Sequence, residues 1–133
     1  MRFEDVAFGE DLPELAPDVS AETVQGFARA AGMLHPRFFD DEAARREGLP
    51  GAIVPGIMSQ GILAALIHRW APEARIEVLD TTFRAPLRVG SKPIARGVVT
   101  DLDGDRRSVE IDLTLANEAG ETRVVGTARV ALP

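Results

Sequence analysis

Both histidines of this sequence, and the side chains near them that could join in acid–base or nucleophilic work, lie before residue 70. His35 and Asp40 stand five positions apart, an imidazole and a carboxylate, which is the minimum for acid–base work. Ser59 and Gln60 follow Gly56 and offer a hydroxyl and an amide as hydrogen-bonding groups. The run Gly56-Ile57-Met58-Ser59-Gln60-Gly61 is superficially like a serine-hydrolase elbow, but the spacing is off by one residue and Ser59 falls inside a helix. Ser59 therefore reads as a polar contact, not a nucleophile. His68 belongs to the last turn of the same helix, where a cation meets the negative end of the helix dipole. Neither acidic cluster reads as a metal site. Asp40-Asp41-Glu42 has no supporting His pair, and Asp101-Leu102-Asp103-Gly104-Asp105 misplaces the Gly and closing Glu of a calcium loop. A helix cap and a hairpin turn explain them, and no metal is expected.

The bulk properties narrow the function classes. A chain of 133 residues holds one core, so residues 1–133 read as a single domain. The net charge of −6 argues against nucleic acid, because a binder must neutralise phosphates and the only adjacent basic pairs are Arg45-Arg46 and Arg106-Arg107. The absence of cysteine excludes disulfides and thiolate chemistry. Met1 to Asp5 is acidic, unlike a signal peptide. The apolar stretch from Ile53 to Ile67 is broken by Pro55, Gly56, Ser59, Gln60 and Gly61 and is too short to span a bilayer. A cytoplasmic protein with neither membrane nor nucleic-acid partner is expected.

The elements that must position these residues follow from periodicity. Pro13 and Pro17 make the first twenty residues an extended lead-in. Ser20 caps a helix carrying Val24, Phe27, Ala28 and Ala31 at helical spacing, which Gly32 ends. Asp40 or Asp41 caps a brief helix through Ala43, Ala44 and Arg46, ended by Gly48. From Pro55 to Trp70 the chain is apolar on nearly every side until the last turn, so this helix must be buried all round. Four strands are predicted beyond it, at Arg75 to Leu87, Lys92 to Leu102, Arg107 to Asn117 and Thr122 to Leu132, with a bulge where the apolar phase slips between Val78 and Leu79. In the third, Val109, Ile111, Leu113 and Leu115 alternate with polar residues, the mark of a strand with one wet face. The natural solution is an α+β fold in which a curved antiparallel sheet wraps around a central buried helix.

Three stretches, in order, carry a family resemblance. Phe27 to Ala44, with Gly32, Pro36 and Asp40, resembles the signature region of MaoC-like hydratases and dehydratases, where the pattern is Gly-Asp-x-Asn-Pro-(apolar)-His-x-Asp. Gly48-Leu49-Pro50-Gly51-Ala52-Ile53-Val54-Pro55-Gly56-Ile57-Met58 is similar to the family's run into its central helix, where His-Gly-Met is usual. Phe83-Arg84-Ala85-Pro86-Leu87-Arg88-Val89-Gly90 resembles its strand motif of an aromatic and an Arg before Pro. The resemblance implies the hot-dog fold and an enoyl thioester, of coenzyme A or an acyl-carrier protein, as ligand with no other cofactor.

The same resemblance implies a dead catalytic site. Without gaps, Met33 falls at the position of the catalytic Asp, Phe38 at that of the catalytic His, and Pro55 at the His of the triplet. A thioether and a phenyl ring have no proton to exchange. His35 and Asp40 remain weak substitutes. The ligand-binding set that the resemblance implies is Met33, His35, Phe38, Val54, Pro55, Gly56, Ile57, Ser59, Gln60, Arg84 and Arg88, with the Gly56 N–H on the thioester carbonyl and the arginines toward phosphate. An accessory subunit is implied, in a homodimer or in a heterodimer with another hot-dog subunit that carries out the hydration. The alternative is a self-sufficient thioesterase, lyase or cyclase that uses His35, Asp40 or Ser59.

Overall fold

The computed structural model describes all 133 residues. Ser20 Oγ accepts the Thr23 N–H at 3.3 Å and starts α1 (Ala21–Ala30), and Gly32, at φ 70°, turns the chain away afterwards. Asp40, of the two candidate caps, starts α2 (Asp41–Arg46), its Oδ1 accepting from the N–H of Glu42 at 2.8 Å and of Ala43 at 3.5 Å. Between them Pro36–Phe38 forms one 3-10 turn. The apolar stretch becomes α3 (Gly56–Trp70), and β1 (Arg75–Phe83), β2 (Ile94–Asp103), β3 (Ser108–Ala116) and β4 (Thr122–Ala131) follow as one antiparallel sheet in the order β1-β4-β3-β2.

The sheet folds its apolar face onto the helix. Val109, Ile111, Leu113 and Leu115 of β3 are each no more than 1% exposed and pack in one core with Leu63, Leu66 and Ile67 of α3. Burying a side chain of this size is worth about 1.5–3 kcal/mol, so the helix–sheet contact dominates the stability of the fold. Two irregularities help the sheet to curve: Glu77 is an extra residue in β1, between Ile76 and Val78, and β2 shifts register between Val99 and Asp101. The first lies slightly ahead of the predicted slip at Val78/Leu79.

Three expectations are corrected. The first strand ends at Phe83, not Leu87, because the N–H groups of Arg84 and Ala85 both turn to the Arg123 carbonyl and Pro86 has no N–H to continue the ladder. The central helix is not buried all round. Four strands cover one side of it, and Ile57, Gly61 and Ala65 form an exposed stripe, with Ile57 56% exposed. The extended lead-in does more than lead in, since residues 9–15 run along β2 with backbone bonds from Leu12 N–H to Gly97 O and between Leu15 and Ala95, and so cover that edge. The β1 edge alone stays open. Trp70 Nε1–H ties the end of α3 to this lead-in by donating to Glu10 Oε2 at 3.0 Å. No helix is long and apolar enough to cross a membrane.

Two surface carboxylates tie the lead-in to the domain. Glu4 meets Arg107 in a bidentate pair at 2.6 and 2.9 Å, which lowers its pKa from 4.5 to about 2. Asp18 accepts from the Thr23 hydroxyl at 2.6 Å and the Ser20 N–H at 2.9 Å, and these bonds lower it from 3.8 to about 2. Both groups hold protons less tightly folded than unfolded. Their stabilisation is therefore complete above their ordinary values of 4.5 and 3.8 and disappears as the pH falls toward 2. Urea-unfolding midpoints will drop across this window in the wild type and more shallowly in the Glu4→Gln, Asp18→Asn double variant; parallel curves would contradict the assignment.

Candidate ligand-binding cleft

The chain enters α3 along a fixed track. Val54 N–H donates to Leu87 O at 2.8 Å, Val89 N–H to Ala52 O at 3.0 Å, and Ile53 N–H to Arg37 O at 3.1 Å. Asp41 Oδ1 accepts the Ala52 N–H at 2.7 Å, so the first turn of α2 holds the same track from its other side. Pro55 then takes the N-cap position, with φ −56°. Met58 and Ser59 donate back to Pro55 O, whereas the N–H groups of Gly56 and Ile57 donate to no backbone carbonyl. Free donors at the positive end of a fifteen-residue helix favour a carbonyl oxygen or an anion.

A cleft of about 330 Å³ opens at this helix end, the low end of the usual size for a small-molecule site. Val54, Leu87 and Val124 give it apolar walls, Gly56 and Ser59 lie along it, and Phe83, Arg84, Ala85 and Pro86 form the strand-side rim. Ser59 is 2% exposed, one of only two buried polar side chains in the chain. Phe83 leans over Gly56: its Cζ lies 3.2 Å from where a Cβ on residue 56 would stand.

The expected binding residues divide. Val54, Gly56, Ser59 and Arg84 line this cleft. Phe38 is buried and lines a second recess of about 230 Å³, with Ala52, Asp41 and Val89, on the far side of the Ala52–Ile53 track. Met33 is half-buried and lines neither. His35 is the N-cap of the 3-10 turn: its Nδ1 accepts from the Arg37 N–H at 3.2 Å and from Arg37 Nε at 3.1 Å, and its Nε2 is 3.7 Å from Glu47. Asp40 is spent as the cap of α2. Pro55 is buried beneath the helix end, and Ile57 points outward. Gln60 Nε2 donates to Thr81 Oγ1 at 2.7 Å and pins α3 to β1. Arg88 lies over Gly51 with its Nη2 3.8 Å from Asp41, and its buried Nε has no partner.

The sequence reading did not assign Ile53, Phe83, Ala85, Pro86, Leu87 and Val124 to the site. Five of these six sit inside the matched motifs, so the signal was present for all but Val124, which reaches the cleft only because β4 pairs with β1 opposite Phe83.

A curved antiparallel sheet around a central helix whose N-terminus faces a cleft defines a hot-dog protein. More narrowly, the chain belongs to the MaoC-like domain family, whose model matches residues 9–121. Among solved structures it is similar to the (R)-hydratase from A. caviae involved in PHA biosynthesis (TM-score 0.91, 23% identity, covering 98% of this chain and 99% of that one). It is also similar to the ChsH1-ChsH2 complex from Mycobacterium tuberculosis (0.88, 19%, 96% and 99%). A third is the C-terminally truncated HadBC (3R-hydroxyacyl-ACP dehydratase) complex from Mycobacterium tuberculosis (0.68, 22%, 92% and 96%). No curated protein matches the sequence.

The track into α3 is tight enough to test. A Cβ on Gly51 would come within 2.5 Å of Arg88 Nη2 and 2.8 Å of Asp41 Oδ1. Gly51→Ala will push both aside and cost the Asp41–Ala52 bond, lowering stability by about 1–2 kcal/mol. The Ala52 amide will also exchange faster. An unchanged urea midpoint with unchanged exchange would overturn this reading.

Proposed function

We propose that this cytoplasmic chain grips an acyl thioester, of coenzyme A or an acyl-carrier protein, without hydrating it. Its place is as the accessory half of a pair with a hot-dog chain that carries the acid and base. The observation that supports this reading is the free Gly56 N–H at the positive end of α3, taken with the family resemblance that aligns Met33 and Phe38 with the two proton-shuttling positions. A thioester carbonyl placed there accepts from Gly56 as it would in an oxyanion hole. The Ser59 hydroxyl in the same cleft can add a second bond, and Arg84 at the rim suits a phosphate of the carrier. Neither Met33 nor Phe38 can move a proton to or from the substrate.

The surface supports a partner. The β1 edge is open, Val78 and Phe83 on it are 37% and 50% exposed, and the Ile57–Gly61–Ala65 stripe of α3 lies beside it uncovered. Two of the similar structures are named as complexes, ChsH1-ChsH2 and HadBC. The alternative of an enzyme with altered chemistry has less behind it, since His35 and Asp40 are occupied as caps and neither lines the cleft with Ser59.

Hydration of crotonyl-CoA tests the pairing. The chain alone will give no turnover. With a MaoC-like subunit that retains Asp and His, activity will rise above that of the subunit by itself. Turnover by the chain alone at about 1 s⁻¹ or faster, an ordinary enzymatic rate, would rule the accessory role out. Conversely, Met33→Asp with Phe38→His will create measurable hydratase activity, and a folded double variant without any would count against an enoyl thioester as ligand.

A further inference from the structure

Phe83 is the one aromatic side chain on the cleft, and its position against Gly56 has a consequence for ligand choice. The backbone beneath it is fixed. Phe83 opposes Val124 in the β1–β4 register, and the next two N–H groups, of Arg84 and Ala85, both donate to Arg123 O, at 2.8 and 3.3 Å. The ring is fixed on one side only, being 50% exposed. Its Cζ, Cε1 and Cε2 lie 3.2, 3.4 and 3.6 Å from the point where a Gly56 Cβ would stand, so the ring meets the helix end tip-first. It thereby fills the space that a side chain at residue 56, whose N–H is free, would take.

We infer that Phe83 is the specificity-determining residue of the cleft, selecting acyl groups by the bulk of the carbon next to the carbonyl. This rests on the acyl-thioester reading above. A carbonyl oxygen held by the Gly56 N–H places its attached carbon against the ring tip, between Phe83 on one side and Ser59 and Val124 on the others. An unbranched chain passes along the ring. A carbon bearing three methyl groups collides with it, because the ring tip already reaches to within 3.2 Å of where a Gly56 Cβ would stand and leaves little space there. Apolar contacts of this kind discriminate by about 10–200-fold.

Calorimetric titration of the full chain with butyryl-CoA and with pivaloyl-CoA, which is fully substituted next to its carbonyl, tests the assignment. The wild type will favour butyryl-CoA by at least about 10-fold. Phe83→Ala will bring the ratio close to one, chiefly by gaining affinity for pivaloyl-CoA, and Phe83→Leu will fall between. The side chain is half-exposed, so both variants will keep the wild-type circular dichroism spectrum, and the Leu variant reads the effect with most of the apolar contact retained. If both ligands bind and the ratio is the same in wild type and Phe83→Ala, the specificity role is wrong and the thioester reading stands. If neither acyl-CoA binds any version, both are wrong.

Discussion

The burial of α3 against the curved sheet is the constraint on which the rest of the structure depends. A helix with Met58, Ile62, Leu63, Leu66, Ile67 and Trp70 on its buried side cannot be left in water, and a flat sheet would touch only a narrow strip of it. The extra residue at Glu77 and the shift in β2 help the four strands to bend round it. Once the helix lies in the hollow of the sheet, its N-terminus faces wherever the preceding chain enters. That chain, residues 52–54, is clamped between residue 37 and residues 87–89. The cleft is thus a by-product of how a buried helix is fed from outside, and its two free N–H groups come with it.

This origin makes the helix-end donors independent of which side chains stand nearby. The donors at Gly56 and Ile57 are backbone groups, fixed by helix geometry and by Pro55, and no side-chain replacement removes them. Proton transfer, by contrast, depends on two particular side chains. At position 38 a phenyl ring lies at 9% exposure among Ala52, Phe39 and Val89, contacts that stabilise apolar atoms, and it has no proton to exchange. Methionine at position 33 is flexible enough to fill an irregular space at little cost. Neighbouring polar residues serve the structure: His35 and Asp40 each start a turn of helix, and Gln60 ties helix to sheet.

The parts of this arrangement that follow local rules were legible in the sequence. Ser20, Asp40, Gly32 and Gly48 bound their helices because capping and left-handed turns depend on one or two residues. The period-two pattern of β3 gave its inner face residue by residue. What depended on distant chain was not legible. Nothing in residues 9–15 announces that they lie along β2, and nothing in Ile57, Gly61 and Ala65 separates them from the buried face of the same helix. The site was half legible for the same reason. Motif spacing placed Gly56, Ser59 and Arg84, whereas Val124 enters by strand pairing, and Arg88 was drawn away by Asp41 and the bare surface of Gly51.

The central proposal is that the α3 N-terminus holds a thioester carbonyl in a chain whose Met33 and Phe38 cannot shuttle protons. Amide and methyl NMR of the ¹⁵N,¹³C-labelled chain, titrated with butyryl-CoA and with free coenzyme A, examines this directly. The Gly56 amide proton will move downfield and saturate with butyryl-CoA but not with free coenzyme A, and the Val124 methyl signals, on the same cleft, will shift in step with it. Shifts that spare Gly56, or that appear equally with free coenzyme A, would contradict it.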